Sequence, residues 1–354
     1  MSILSALMRR PILALLTLLA AGCGRTELVH YTWPPGEPDA GRELVPCVTG
    51  VLTPEPAVPA VMLVLDRSGS MNFDFAGNAG PPFGAPLTGP RRWTVLKASL
   101  ESTLTRFDEQ IAFGMVQFPG DDLCGVSSSI DLLPKAGNAA EVMARLNRVP
   151  EGGTPTFQAF NTAVGQLASV RGQALVLITD GDPNCNPDLD PDTCDCTVPR
   201  VGVPPTCSEA TACRDGQRTI DGVRRARVER GVVTYVVGVG SSSARVIQTL
   251  DNLAIAGGVP RASGPRRFYS GATEAELGEA LTAINTRLSR CTWATGTRLG
   301  PNDLVEVTVG GQVVPRGALG WDWVDAASGD LALQGTWCER AAAGEAVRVR
   351  LECR

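Results

Sequence analysis

One histidine, His30, stands in 354 residues, and it lies in a proline-rich stretch. That scarcity argues against a zinc enzyme built on imidazole ligands and against a Ser-His catalytic pair. Lysine is almost as rare. Lys97 and Lys135 are the only two, so arginine carries nearly all the positive charge, a matter of genome composition rather than mechanism. The formal net charge of -5 is modest and gives no reason to expect nucleic acid as a partner. Long apolar runs are also lacking: the stretch from Ile12 to Ala21 is too short for a comfortable membrane span.

That short run has another use. Arg9 and Arg10, the apolar stretch and then Gly22-Cys23 read as a secretion signal over residues 1–23. Small residues directly before a cysteine resemble the bacterial lipoprotein signal, which implies that Cys23 becomes the lipidated first residue of the mature chain. Leu19 lies one place further from the cysteine than the usual leucine, with Ala20 in its slot, and ordinary cleavage and release is the alternative. Gly24 in place of an aspartate favours, by the same resemblance, the outer membrane over inner-membrane retention. The expected location is the cell envelope, reached by export and held by lipid. Residues 24–59 lack any helical or strand period and read as a tether, which as a random coil reaches roughly 30 Å.

Asp66-Arg67-Ser68-Gly69-Ser70 follows the apolar run Val61 to Leu65, so a carboxylate and two hydroxyls stand where a buried strand meets its loop. Oxygen-only donors of this kind suit Mg²⁺, Mn²⁺ or Ca²⁺ rather than zinc. Gly152-Gly153-Thr154-Pro155-Thr156 offers a further hydroxyl, and Leu175 to Thr179 followed by Asp180-Gly181 a further carboxylate. A bare D-x-S-x-S is a weak signal; the ordered set, with apolar strands before both aspartates, is a strong one. The chain here resembles the von Willebrand factor type A domain, an integrin I-like fold with a metal-ion-dependent adhesion site. The resemblance implies that Asp66, Ser68, Ser70, Thr154 and Asp180 surround the cation. It also implies that the serines and the threonine touch the metal, that the aspartates act mostly through water, and that one coordination position stays open for a partner's carboxylate. The plainer reading keeps the fold and uses these residues only as turn and cap formers.

From residue 60 to 290 apolar runs alternate with amphipathic stretches, the pattern of an α/β, doubly wound, mostly parallel six-stranded sheet flanked by helices. The expected strands are Val61 to Leu65, Ile111 to Phe118, Ser129 to Leu133, Ala174 to Thr179, Val232 to Val239 and Arg267 to Ser270. Leu96, Leu100, Leu104 and Phe107 form one helical stripe; Phe157, Phe160, Val164 and Leu167 form another. Thr273 and Glu276 read as a capping box opening a last helix whose Leu277, Leu281, Ile284 and Leu288 share a face. Residues 291–354 change to alternation around Gly310-Gly311 and read as a small β module whose core is Trp321, Trp323 and Trp337, with sugar stacking by these tryptophans as the other use.

Loops leaving the carboxyl ends of the strands frame the site in a sheet of this kind. Two insertions leave that edge, at 72–92 and 182–213. The first carries Phe73, Phe75 and Phe83, which either contact a partner or pack under their own loop. The second carries Asp188, Asp190 and Asp192, with Asp195 beyond, spaced as in a calcium loop yet without the glycine and closing glutamate of an EF-hand. A second, structural Ca²⁺ is the lesser reading there. With Cys23 set aside, ten cysteines remain, and disulfides are expected in an exported chain. Topology sorts Cys124, Cys185, Cys194, Cys196, Cys207 and Cys213 to the metal face, and Cys47, Cys291, Cys338 and Cys353 to the opposite pole. Three disulfides are expected in the first group, two in the second and none between them, with the pairing inside each group open.

The function these readings support is a membrane-anchored adhesion module that captures an acidic group on a protein or surface polymer through a divalent cation. Two alternatives stand beside it: a structural envelope scaffold whose metal site is unused, and, ranked last, a metal-dependent hydrolase.

Overall fold

The chain separates into residues 1–42 and 43–354, and all that is described here belongs to the second unit. The computed structural model describes residues 45–354 except 48, 83, 121–123, 127–130, 168–173, 198–206, 231, 241–242, 262, 272, 300–301, 318 and 326–328. The signal segment with Cys23, His30, Phe83 and most of the tether therefore lie outside the described residues.

Apolar runs buried on both faces need cover on both faces, and that requirement builds the central layer. Its strands are β1 (Ala60–Asp66), β2 (Ala112–Phe118), β3 (Leu132–Lys135), β4 (Ala174–Thr179), β5 (Val233–Val239) and β6 (Tyr269–Gly271). They are arranged in the order β3-β2-β1-β4-β5-β6. All neighbours are parallel except β3, which runs antiparallel to β2. Side chains alternate across β1. Val61, Leu63 and Leu65 join one core with residues of α1 (Arg92–Phe107), α2 (Ala139–Arg145) and α6 (Glu274–Cys291). Met62 and Val64 join the other with residues of α3 (Thr156–Leu167), α4 (Gly216–Arg230) and α5 (Ala244–Ala256). Among the described residues no helix is long and apolar enough to cross a membrane.

The third strand runs over Leu132–Lys135, the start of its expected span at Ser129 lying outside the described residues, and it carries Pro134, which an edge strand tolerates because one side needs no ladder donor. The ladder with β2 is irregular here, and Gly114 lies close by, where an added Cβ would meet the Pro134 nitrogen at 2.7 Å. Thr273 caps α6 by accepting the Glu276 N–H at 3.2 Å, while the Glu276 carboxylate takes the Ser270 hydroxyl at 2.9 Å.

After α6 come two four-stranded sheets. In one, Trp321–Asp325 pairs with Asp330–Leu333, which pairs with Thr292–Ala294; in the other, Gln312–Val314 pairs with Leu304–Val309, which pairs with Val347–Glu352. Gly310 and Gly311, at φ 57° and 80°, make the hairpin turn that only residues free of a Cβ adopt easily. The fourth strand of each sheet corrects the tether boundary at 59. Glu55–Pro56 pairs with Thr292–Ala294, and Gly50–Leu52 pairs with Val347–Glu352. Val45–Pro46 further pairs with Thr297–Arg298. The proline-rich segment serves as edge strands, where missing donors cost little. Trp321 and Trp323 are buried edge-on at 4.9 Å between ring centroids, and the half-buried Trp337 carries the Arg340 guanidinium 4.8 Å from its ring. These three rings pack the module and its flank instead of offering free faces to sugar.

Among the described residues five disulfides join ten cysteines, and each stays within its expected group. Cys47–Cys353 and Cys291–Cys338 lie in the module. Cys124–Cys185, Cys194–Cys213 and Cys196–Cys207 lie at the other edge of the sheet.

Candidate functional site

Asp66 ends β1, Asp180 follows β4, and Thr154 precedes α3, so three separate loops converge on the carboxyl edge of adjacent strands. Asp66 is fully buried; its Oδ1 accepts the Ser68 N–H at 2.8 Å and its Oδ2 accepts the Thr179 hydroxyl. The Ser70 hydroxyl donates to Asp180 Oδ1 at 2.7 Å and lies 3.0 Å from the Ser68 hydroxyl. Thr154 closes the set from across Gly181, where an added Cβ would stand 3.7 Å from the Thr154 hydroxyl and 3.9 Å from that of Ser70. All five residues named from the motif thus gather around one small space.

Electrostatics marks the same space. Burial, with the neighbouring Asp180 second, pushes the Asp66 carboxyl up to about 7. Burial raises Asp180 as well, against the pull of Arg92. Arg92 pairs with Asp180, whereas Asp66 meets the Ser68 N–H and the Thr179 hydroxyl, and the remaining donors are neutral hydroxyls. This oxygen-only set fits a hard divalent cation: Ser68, Ser70 and Thr154 would supply hydroxyls, and the aspartates the neutralising charge.

Several residues that hold the site carry no motif. The Arg92 Nη1 contacts Asp180 Oδ2 at 2.6 Å, its Nε donates to the Asp74 carbonyl at 3.1 Å, and its Nη2 to the Gly240 carbonyl at 3.2 Å. Arg67, buried inside the D-x-S-x-S loop, donates to the carbonyls of Pro119, Gly120 and Val149 at 2.8, 2.7 and 2.6 Å. Nothing local separates these arginines from exposed ones; only the buried strand flanking Arg67 hints at its fate. The Thr154 loop is fixed by Asn184, whose Oδ1 accepts the Thr154 N–H at 2.7 Å and whose N–H donates to the Thr154 carbonyl at 2.9 Å. The Cys124–Cys185 disulfide presses on the same loop: a Cβ at Gly153 would stand 2.3 Å from the Cys185 sulfur.

In the first insertion, Asp74 accepts from both N–H groups of Asn78, at 2.8 and 2.9 Å, and from the N–H and hydroxyl of Thr88, at 2.7 and 2.9 Å. Burial opposes ionisation there, yet these bonds prevail and hold the carboxyl well below its usual range. Half-buried Phe75 packs against the main core, and half-buried Phe73 lies 6.0 Å under the Arg92 guanidinium. In the second insertion the structure does not bring the three aspartates of the calcium reading together. Asp188 faces Arg218 at 3.8 Å, Asp190 accepts the Asp192 N–H at 3.0 Å, and among the described residues these carboxylates form no group of metal-ligand atoms within 4.8 Å of one another. Prolines at 187 and 191 and the disulfides beyond them set the course of this loop, and its polar groups bond locally.

A family model described as the von Willebrand factor type A domain matches residues 60–283. Among solved structures the chain is similar to the pilus adhesin SpaC from Lactobacillus rhamnosus GG, at 17% identity and a TM-score of 0.47, over 85% of this chain and 40% of that one. It is similar to the PilB minor pilin from Streptococcus sanguinis at 17% and 0.45, over 69% and 63% of the two chains. It is similar also to the vWF domain of the type V pili tip protein Mfa5 from Porphyromonas gingivalis, at 13% and 0.41, over 68% and 95%. The chain thus covers less than two thirds of the first two. No curated protein matches it.

Proposed function

The chain belongs to the von Willebrand factor type A domain family, and on that premise we propose that it is an envelope-held adhesion module that captures an acidic group on a protein or polymer through Mg²⁺, Mn²⁺ or Ca²⁺. The observation that carries the reading is the convergence of Ser68, Ser70 and Thr154 hydroxyls beside two buried carboxylates on the loop edge of the sheet. When bound, the ion supplies a positive centre for a partner's carboxylate. The chain's residues do the rest: Thr179 and the Ser68 N–H orient Asp66, Ser70 and Arg92 orient Asp180, and Asn184 holds Thr154. The role is capture without turnover, since the site carboxylates are engaged in holding the ion. Lipid at Cys23 would anchor it, and five disulfides suit an oxidising compartment.

One observation favours a second reading, a scaffold that leaves the site unused: Arg92 already neutralises Asp180. Thermal unfolding of the oxidised chain lacking residues 1–23, with and without each cation, separates the two. A ligand at 100 times its dissociation constant adds about 2.7 kcal/mol, which raises the Tm by about 5 °C. Asp66→Ala and Asp180→Ala should both abolish the rise. A wild-type Tm indifferent to every cation would favour the scaffold.

A further inference from the structure

We propose that the ligand of this site carries two acidic groups, the second of which is read by Arg245 and Arg214; the assignment rests on the metal-capture reading above. A cavity of about 300 Å³ opens beside the Ser70 and Thr154 hydroxyls and is lined further out by Asn184, Thr197, Arg214 and Arg245. Its volume falls at the small end of ligand pockets, about 300–1,000 Å³, a space for one or two acidic side chains rather than a large cofactor. One end offers the metal hydroxyls and the other offers guanidinium groups.

A carboxylate of the chain itself already meets both of these arginines. Asp195 lies 3.3 Å from Arg214 Nε and also pairs with Arg245 Nη1. This shows that the position accepts a carboxylate. The two arginines differ in how firmly they are held. Arg214 is three-quarters buried and pairs at 2.5 Å with Asp182, which in turn accepts the Thr249 hydroxyl. Arg245, from the first turn of α5, is more than half exposed, and so is Asp195. An exposed pair of this kind contributes little net stability, so a ligand carboxylate can displace Asp195 at modest cost.

The disulfides explain why this wall is well placed to read a ligand. Asp195 lies directly between Cys194 and Cys196, which are bonded to Cys213 and Cys207, and Arg214 follows Cys213. The Arg214 N–H donates to the Asp195 carbonyl at 2.8 Å. Two covalent staples therefore fix the backbone at Asp195 and Arg214 before any ligand arrives, so only the exposed Asp195 side chain has to turn aside and recognition need not meet the entropy of ordering a loop.

The test uses the oxidised full chain loaded with Mn²⁺, with acetate, succinate and glutarate as probes and paramagnetic relaxation of the probe protons as readout. Succinate or glutarate should bind about fivefold more tightly than acetate, the upper range for one exposed ion pair. Arg245→Ala should erase that preference and leave acetate binding unchanged; Asp195→Asn, which removes the internal competitor, should enlarge it. Both residues are exposed, and unchanged thermal unfolding would confirm that each variant folds. Acetate bound with no preference for either dicarboxylate, or a preference that survives Arg245→Ala, overturns the two-carboxylate assignment and leaves metal capture standing. Absence of any Mn²⁺-dependent relaxation overturns both.

Discussion

Replacing Arg92 by methionine keeps most of the side chain's length and removes its charge. The guanidinium is 8% exposed and its partner Asp180 is 0% exposed, so solvent replaces little of what is lost. Three contacts disappear: the ion pair at 2.6 Å and the bonds to the carbonyls of Asp74 and Gly240 at 3.1 and 3.2 Å. Breaking a buried pair from one side costs about 3–5 kcal/mol, because the remaining charge stays buried without compensation. Against a total stability of about 5–15 kcal/mol, that lowers the Tm by about 6–9 °C in chelator. A divalent cation beside Asp180 supplies part of the missing charge, so the deficit should shrink with Mg²⁺ or Mn²⁺. Urea unfolding followed by far-ultraviolet circular dichroism, in chelator and in each cation, measures both quantities. A loss below about 1 kcal/mol in chelator would refute the claim that Arg92 compensates Asp180, since the median exposed pair costs no more than that. A loss of equal size with and without cation would refute the claim that ion and guanidinium serve the same carboxylates.

Asp74→Asn should flatten the acid limb of the stability curve. The folded carboxyl titrates below its unfolded value of about 4, so its contribution is complete above that pH and is lost as pH falls below it; unfolding measured from about pH 5 to 2 reads the difference. Gly153→Ala forces a Cβ against the Cys185 sulfur at 2.3 Å and should destabilise by about 1–3 kcal/mol in chemical denaturation while weakening the cation response, because the displaced loop carries Thr154.

The strands were legible because four of them are nearly unbroken apolar runs, and a parallel sheet needs that composition. Asp66, Ser68 and Ser70 were legible because their relation is local, and Thr154 and Asp180 because each adjoins its own glycine-marked loop. Arg92 and Asp180 stand 88 positions apart, and no periodicity connects them. The segment 45–57 looked like a tether because its prolines suppress any strand pattern; its partners begin more than 230 residues later. Cysteine grouping followed from which sheet edge each loop leaves, whereas the pairing inside a group depends on side-chain direction. The acidic run at 188–192 shows the reverse case, since alternate carboxylates resemble a calcium loop until arginine and backbone partners are placed.

Cys47 and Cys353 are joined across 306 positions, which makes the folded body a closed ring. A linear chain cut once becomes two pieces. This ring cut once, anywhere between those cysteines, becomes one open strand with both halves still bound. A nick in an exposed loop here would release nothing; parting the sheet edge that carries Asp66 and Asp180 from the module would take two cuts, or one cut and a reductant. The stretch ahead of Cys47 stays joined to both halves.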